Sequence, residues 1–557
     1  MNSQDIAFDR YYTYDEMTAH LHALVASFPH LAQLSSLAQS FGGREVWLVT
    51  ITNQETGPAA EKPGFYLDAQ IHAEEHAGSA VALYAIWHLL TRYGQEEEAT
   101  RLVDSQVFYI IPRMNPDGAE LSLQPPFYNW CGNGRFAPGS DRVAGLIPED
   151  INGDGYIVWM RVPDPRGEWK KSATNPDIMV QRPPGEEGGA YFRLYPEGLI
   201  RDFDGVEVVV EKPFDGNMNR NFPTNWSPQE YGAGQHPLSE PEAAGVARFI
   251  LEHPNICGLC AYHTHGGLIL RPSMTKPDSA MGARDINLYK EIGKVGSALT
   301  GYPTISIYED FTPDKSKARR GGLMDWTYGE LGMISFGVEV WDLEREAGVE
   351  KIGYYNLYPR TEAIQTKVHD YVRAEVGERG WRPWTPFAHP QLGAIEIGGM
   401  VNIWSYRNPP PCLLEAICRN NVLFNLKHAA AAPRLRIDQV EVTPLGAGLH
   451  KVRAVLSNHG YLPTNLSDVA LDNGVAKPAQ VSLTLEGGAL IMNPATVSLG
   501  HLAGRNERLT PWSPWGQQWS ASAKAVEWLV KVAESGNLTI TAVSEKGGTH
   551  RITRAIR

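Results

Sequence analysis

The sequence predicts an α/β chain built on a doubly wound, largely parallel or mixed sheet, followed by a smaller all-β sandwich. Three observations carry this. From about residue 10 to 385, short apolar β-type runs alternate with amphipathic helical stretches. Beyond about 433 the helical period disappears and alternating runs such as Ile437–Val442, Lys451–Leu456 and Leu538–Val543 are separated by Gly, Asn and Pro turns. Between them stands a Pro-rich stretch, Asn408-Pro-Pro-Pro411. The expected division is therefore a domain over 1–385, a linker and helix over 386–432, and a β-sandwich over 433–557.

The elements follow in order. Phe65 to Ile71 reads as a strand, and Val81, Tyr84, Ile86, Trp87 and Leu90 mark a helix that stops near Gly94. Val107 to Pro112 is a second strand. Residues 124–214 are rich in Gly, Pro and Asp and too long for a plain connection, so they read as an insertion of loops and hairpins that shapes a site. Ser239-Glu240-Pro241-Glu242 has capping-box spacing before an apolar face of Val246, Phe249 and Ile250, and Gly258–Tyr262 is the next strand.

Composition bounds the function. The 557 residues are 43% hydrophobic, enough for more than one domain. Lys and Arg total 50 against 63 Asp and Glu, a net charge of -13, which argues against nucleic acid as a partner. No run reaches membrane-spanning length, and the polar start Met1-Asn2-Ser3-Gln4-Asp5 has no signal-type apolar core, so a cytoplasmic protein is expected. Five cysteines make no disulfide framework, and Cys257-Gly-Leu-Cys260 lies in an apolar strand without a second pair, as buried inert thiols do.

The strongest chemical signal is Gln70-Ile71-His72-Ala73-Glu74-Glu75-His76. Imidazole and carboxylate suit Zn²⁺, and a catalytic zinc takes three protein ligands. One reading places His72 and His76 on a single helix turn with Glu75 as base, the inverted zincin arrangement. It requires helix through all five residues. The strand just before His72 favours the other reading, with His72 and Glu75 as ligands at a strand's C-terminal end and a third ligand from another strand end. Ala261-Tyr262-His263-Thr264-His265 supplies it: His263 as ligand, His265 as pocket lining. Glu339, alone within the apolar Ile334–Trp341, is costly to bury without compensation and so points to function.

The ordered set His72-x-x-Glu75, Asn219-Arg220-Asn221, His263, Gly321-Gly322-x-x-Asp325-Trp326 and Glu339 resembles the zinc carboxypeptidases of the carboxypeptidase A type over about residues 10–380. Asn115-Pro-Asp-Gly118 and Ser239–Glu242 agree with it. The resemblance implies a mixed sheet of zinc carboxypeptidase type, one Zn²⁺ on His72, Glu75 and His263, and Glu339 as general base toward metal-activated water. It implies Arg161 as the oxyanion-stabilising cation, Asn219 and Arg220 as the holders of a substrate's free C-terminal carboxylate, and Met324 as the floor of an apolar specificity pocket. The expected substrate is a peptide. Amide cleavage in peptidoglycan stem or modified peptides is the nearest rival, and a non-catalytic zinc scaffold with a β-sandwich interaction domain the more distant one.

Two departures stand out. Asn217 occupies the place of an Asp that orients the first zinc histidine in the family, with Asp215 nearby. The place of the family's mobile tyrosine, four residues before the Gly-Gly pair, holds Lys317 in a basic loop with Arg319 and Arg320; Tyr308 lies upstream as a candidate substitute that the spacing alone does not support. Separately, Asp150-x-Asn152-x-Asp154-Gly155 has the opening spacing of a calcium loop, although Arg161 stands where the twelfth, acidic position belongs; Asx turns explain the same residues.

Overall fold

The computed structural model describes residues 6–134, 145–210, 216–350, 361–507 and 521–556. Its centre is an eight-stranded mixed sheet in the order 32–39, 45–51, 107–111, 64–69, 256–264, 334–340, 268–271, 304–306. Three neighbouring strands, Gly64–Ala69, Ile256–Thr264 and Ile334–Val340, run parallel. They read as near-continuous apolar runs because both faces are covered. Phe65, Leu67, Cys260 and Tyr262 face the helices Tyr14–Ser27, His76–Arg92, Ala283–Thr300 and Pro411–Ala430, whereas Tyr66, Leu259 and Ala261 face Pro241–Glu252 and Leu323–Gly329. Cys257 and Cys260 are buried in this packing, and burial pushes both thiols up.

The helix Pro241–Glu252 starts with proline at its first position as expected, but the capping box does not form. Ser239 instead accepts from Asn221 Nδ2 at 3.0 Å, and the Glu240 carboxylate accepts from Asn133 Nδ2 at 2.8 Å.

The helix expected within 386–432 is present, but the rest of that span is not a linker. The strand Trp381–His389 pairs with Gly393–Met400, which pairs with Trp159–Pro163 of the insertion, and three more insertion strands complete a six-stranded sheet beside the central one. The helix Pro411–Ala430 begins with the last proline of the Pro-rich stretch, where a missing N–H is harmless. Phe424 is fully buried on that helix, 5.7 Å from the Phe336 ring, and Leu414, Cys418 and Val422 join the same core. The first folding unit therefore extends to about residue 432, because this helix completes the layer that covers one face of its central sheet.

The C-terminal unit is all-β. The long strand Ala523–Ser544 pairs with Leu449–Asn458 through its first half, with Gly548–Ile556 through its second, and with Ala479–Met492 along both. The sheet folds over a core of Trp528, Val530, Leu538 and Ile540 in a sandwich-type arrangement. Asp285 on the helix Ala283–Thr300 accepts the Asp468 and Val469 amides, and Lys546 Nζ donates to Ile256 O at 2.9 Å, which fix it to the α/β unit. No helix among the described residues is long and apolar enough to cross a membrane.

Truncating Phe424 to Ala is expected to lower the stability of the α/β unit by about 3–5 kcal/mol. Urea unfolding followed at zinc-site and bulk tryptophan probes should shift together; an unchanged α/β transition would restore the linker reading.

Candidate metal centre and active site

The parallel strands end together, and their ends build the site. Gly64–Ala69 is followed by Gln70, which takes a left-handed φ of 57° and turns the chain out of the sheet. That conformation is costly for a side chain with a Cβ and is held by the surroundings. Gln70 Nε2 donates to Ala73 O at 2.8 Å and to His76 Nδ1 at 2.6 Å, while its Oε1 accepts from Arg113 Nε at 3.0 Å and from Ser79. Helix starts only at His76, so His72 and Glu75 lie in the turn between strand and helix. The inverted zincin reading is excluded: His76 is buried in the Gln70 network and stacked on Trp404 at 5.7 Å.

His263 stands one residue before the end of Ile256–Thr264, in register with Glu339 on the neighbouring strand. His72 Nδ1 lies 2.9 Å from Glu75 Oε1, His263 Nδ1 lies 3.1 Å from Glu75 Oε2, and the two Nδ1 atoms are 3.3 Å apart. Among the described residues this is the only His, Cys, Asp and Glu group with metal-binding proximity. Lone pairs converging this closely repel unless a cation lies among them, and two imidazoles with one carboxylate form a zinc donor set that leaves a position for water. Burial raises the Glu75 carboxyl, but the two imidazoles outweigh it and keep Glu75 ionised. The residues fit the metal.

These groups line a cavity of about 380 Å³. Burial raises Glu339 to about 7 against the opposing pull of His263, and raises Asp68, one strand over beside His263, also to about 7. His265 lines the cavity as expected, its ring 5.3 Å from Tyr406, and so do Asn219, Arg220 and Met324. Asn219 Oδ1 accepts from Leu323 N at 3.1 Å, and Phe222 N donates to Gly321 O at 2.9 Å. Gly321 is required here: at φ 67°, any Cβ would sit 2.2 Å from Arg220 O.

Other expectations are corrected. Arg161 is not in the cavity: it is buried in the insertion sheet, its Nε and Nη2 donating to both oxygens of Glu396 at 2.7 and 2.9 Å, with Trp384 against its guanidinium at 4.4 Å. The alternation of an antiparallel strand sends it to that pair. Lys317 is exposed and faces Asp314, and Tyr308 turns its ring to Lys315 Nζ at 5.0 Å, so neither takes the tyrosine's place; Arg319 of the same loop reaches the cavity wall. Asn217 accepts from the Asn219 amide at 3.0 Å and directs its Nδ2 to Cys131, so it shapes the Asn219–Arg220 turn. Asp215 lies outside the described residues.

Calcium is not supported. Asp150 accepts the Gly153 and Gly155 amides, Asn152 the Asp154 amide, and Asp154 the Tyr156 amide and the Arg382 guanidinium. The oxygens are taken by Asx turns and an arginine.

Sequence reasoning missed Asp68, Gln70, Tyr406 and Arg407. Asp68 carried the signal that singled out Glu339, an isolated acid in an apolar strand. Tyr406 and Arg407 carried none, because their segment read as a linker.

The fold and this donor set define a zinc peptidase-type hydrolase scaffold. The chain belongs to the zinc carboxypeptidase family, whose model matches residues 17–374, more than half of it; residues 434–555 match a domain of unknown function. Mouse carboxypeptidase D is 33% identical over 123 residues, 22% of this chain and 9% of that protein. An inactive metallocarboxypeptidase of Saccharomyces cerevisiae is 32% identical over 117 residues, 21% of this chain and 27% of that protein. The chain thus spans well under two thirds of these curated relatives. The crystal structure of thrombin activatable fibrinolysis inhibitor aligns with a TM-score of 0.47 and 16% identity, covering 77% of this chain and 75% of that one.

Glu75→Ala should abolish stoichiometric zinc while His76→Ala, if folded, keeps it, as elemental analysis of purified protein will read. Arg161 holds Glu396 down to about 2, so this pair stabilises the fold above the ordinary carboxylate range and is lost as pH falls toward 2. Arg161→Ala should cost roughly 2 kcal/mol at neutral pH, move acid unfolding to higher pH, and leave zinc content unchanged.

Proposed function

We propose that the protein is a zinc-dependent carboxypeptidase that removes the C-terminal residue of peptides. The observation that carries this is the convergence in one cavity of the donor set His72, Glu75 and His263, the base Glu339, and the Asn219–Arg220 pair. Zinc, when bound to His72, Glu75 and His263, supplies Lewis acidity toward water and a carbonyl oxygen.

The chain's own residues do the rest. Glu339 takes the proton of the attacking water as the new C–O bond forms, and returns it to the amine nitrogen as the C–N bond breaks. A carboxyl raised by burial is suited to both transfers, since it gains and loses a proton near neutrality. Arg220 binds the terminal carboxylate by charge-assisted hydrogen bonds, with Asn219 beside it. Leu268, Leu270, Met274, Phe311 and Met324 make the neighbouring wall apolar, which favours an uncharged, apolar terminal side chain. One relative is named inactive, so membership alone does not deliver activity; this chain retains the ligands and the base together.

Mass spectrometry of a peptide library should show residues released singly from C-termini, with muropeptides as a parallel arm for amide cleavage in stem peptides. Glu339→Gln should lower kcat by about 10³-fold with zinc retained. Arg220→Ala should raise KM by about tenfold to a hundredfold. Equal rates on free-acid and C-terminally amidated peptides would sink the exopeptidase reading.

A further inference from the structure

Arg161 leaves the cavity without the cation expected to meet charge on the substrate's carbonyl oxygen. Three guanidinium groups line the cavity among the described residues: Arg220, Arg319 and Arg407. Arg220 sits with Asn219, its Nη1 donating to Asn219 O at 2.7 Å, and Arg319 lies over the Phe311 ring at 5.1 Å on the loop side. Arg407 is different in its neighbours. Its Nη1 donates to Thr264 O at 2.9 Å, the carbonyl immediately after the ligand His263, and its Nη2 lies 3.4 Å from Glu74 Oε1, immediately before the ligand Glu75. Glu74, Glu75 and Glu339 all act on it electrostatically. It is thus tethered between the two ligand-bearing segments and close to the base.

The tether is stiff. Asn408 Oδ1 accepts from Ala77 N at 2.9 Å in the first turn of the helix His76–Arg92, and Asn408 Nδ2 donates to Glu74 O and Ile403 O, both at 2.8 Å. Tyr406 O–H donates to Glu344 Oε1 at 2.9 Å with its ring against His265. Residues 406–408 lie beyond the segment that matches the family, yet they close the metal-bearing turn.

We propose that Arg407 is a catalytic residue: its guanidinium donates to the scissile carbonyl oxygen, so that the tail of the α/β unit completes the active site. As water oxygen bonds to the carbonyl carbon and Glu339 takes the proton, the carbonyl π electrons move onto oxygen, and Arg407 faces that charge. One N–H holds it to Thr264 O and a longer ion pair draws it to Glu74, leaving donors of the five-donor fork for the substrate. This inference rests on the hydrolytic reading above.

The test compares zinc-loaded full-length wild type with Arg407→Ala and Arg407→Lys. Arg407→Ala should lower kcat by about 10²–10³-fold with KM little changed. Zinc content should be retained, the melting temperature should fall as Glu74 loses its cation, with Arg407→Lys recovering that stability but not the rate, and added guanidinium should restore part of the rate in Arg407→Ala. Calorimetry with a non-hydrolysable dipeptide phosphonate bearing a free carboxylate should show binding weakened by a similar factor. If wild type cleaves no peptide, the hydrolytic reading fails while the phosphonate still decides Arg407. Equal phosphonate binding by wild type and Arg407→Ala, including none by either, overturns the proposal. So does recovery of wild-type kcat in Arg407→Ala/Glu74→Gln, which would make Arg407 only a partner for Glu74.

Discussion

Four carboxyl groups, Asp68, Glu74, Glu75 and Glu339, crowd the ends of three parallel strands, and three of them are at least 98% buried. Desolvating that much negative charge is expensive unless positive charge is brought to it. Two sources are built into the chain. One is the donor set of His72, Glu75 and His263, which a divalent cation satisfies. The other is Arg407, which arrives from a part of the sequence far from the strands. The site's architecture follows from this demand for compensation.

It also explains why the α/β unit extends past its apparent end. The strands 381–389 and 393–400 pair with the insertion, and the helix 411–430 covers the central sheet. Between those two anchors the chain has to pass the metal-bearing turn, and residues 406–408 make their contacts there. A cation delivered from a loop anchored at only one end would lose more side-chain and backbone entropy on ordering. Anchoring on both sides reduces that loss.

Much was legible in the sequence. The strand before His72 correctly excluded a helical zincin motif, and the apolar neighbours of Glu339 singled out a carboxyl that lies on the cavity wall. Asp68 was equally visible by the same rule but was read only as part of a strand. What the sequence obscured has physical causes. Arg161 and Arg407 are both arginines near aromatic residues, and no local pattern tells which face of a strand or loop each will present. The partner that claims Arg161, Glu396, lies 235 residues away across a non-local sheet pairing. The Pro-rich stretch reads as a linker, but its last proline starts a helix, and a proline at a helix's first position looks like one in an interdomain linker when only the sequence is in view.

The Arg161 and Arg407 environments show why residue type alone does not assign a role. Arg161 has its guanidinium occupied by two carboxylate oxygens, a carbonyl at 2.9 Å and an aromatic face, so its donors are committed within the insertion sheet. Arg407 is held by one carbonyl and a longer carboxylate contact, and it faces a cavity whose nearby charges are negative. A guanidinium that is oriented but incompletely occupied is the one able to meet new charge during a reaction without first breaking its own pairs. Preorganisation with spare donors, rather than proximity in sequence to a family motif, is what separates the two.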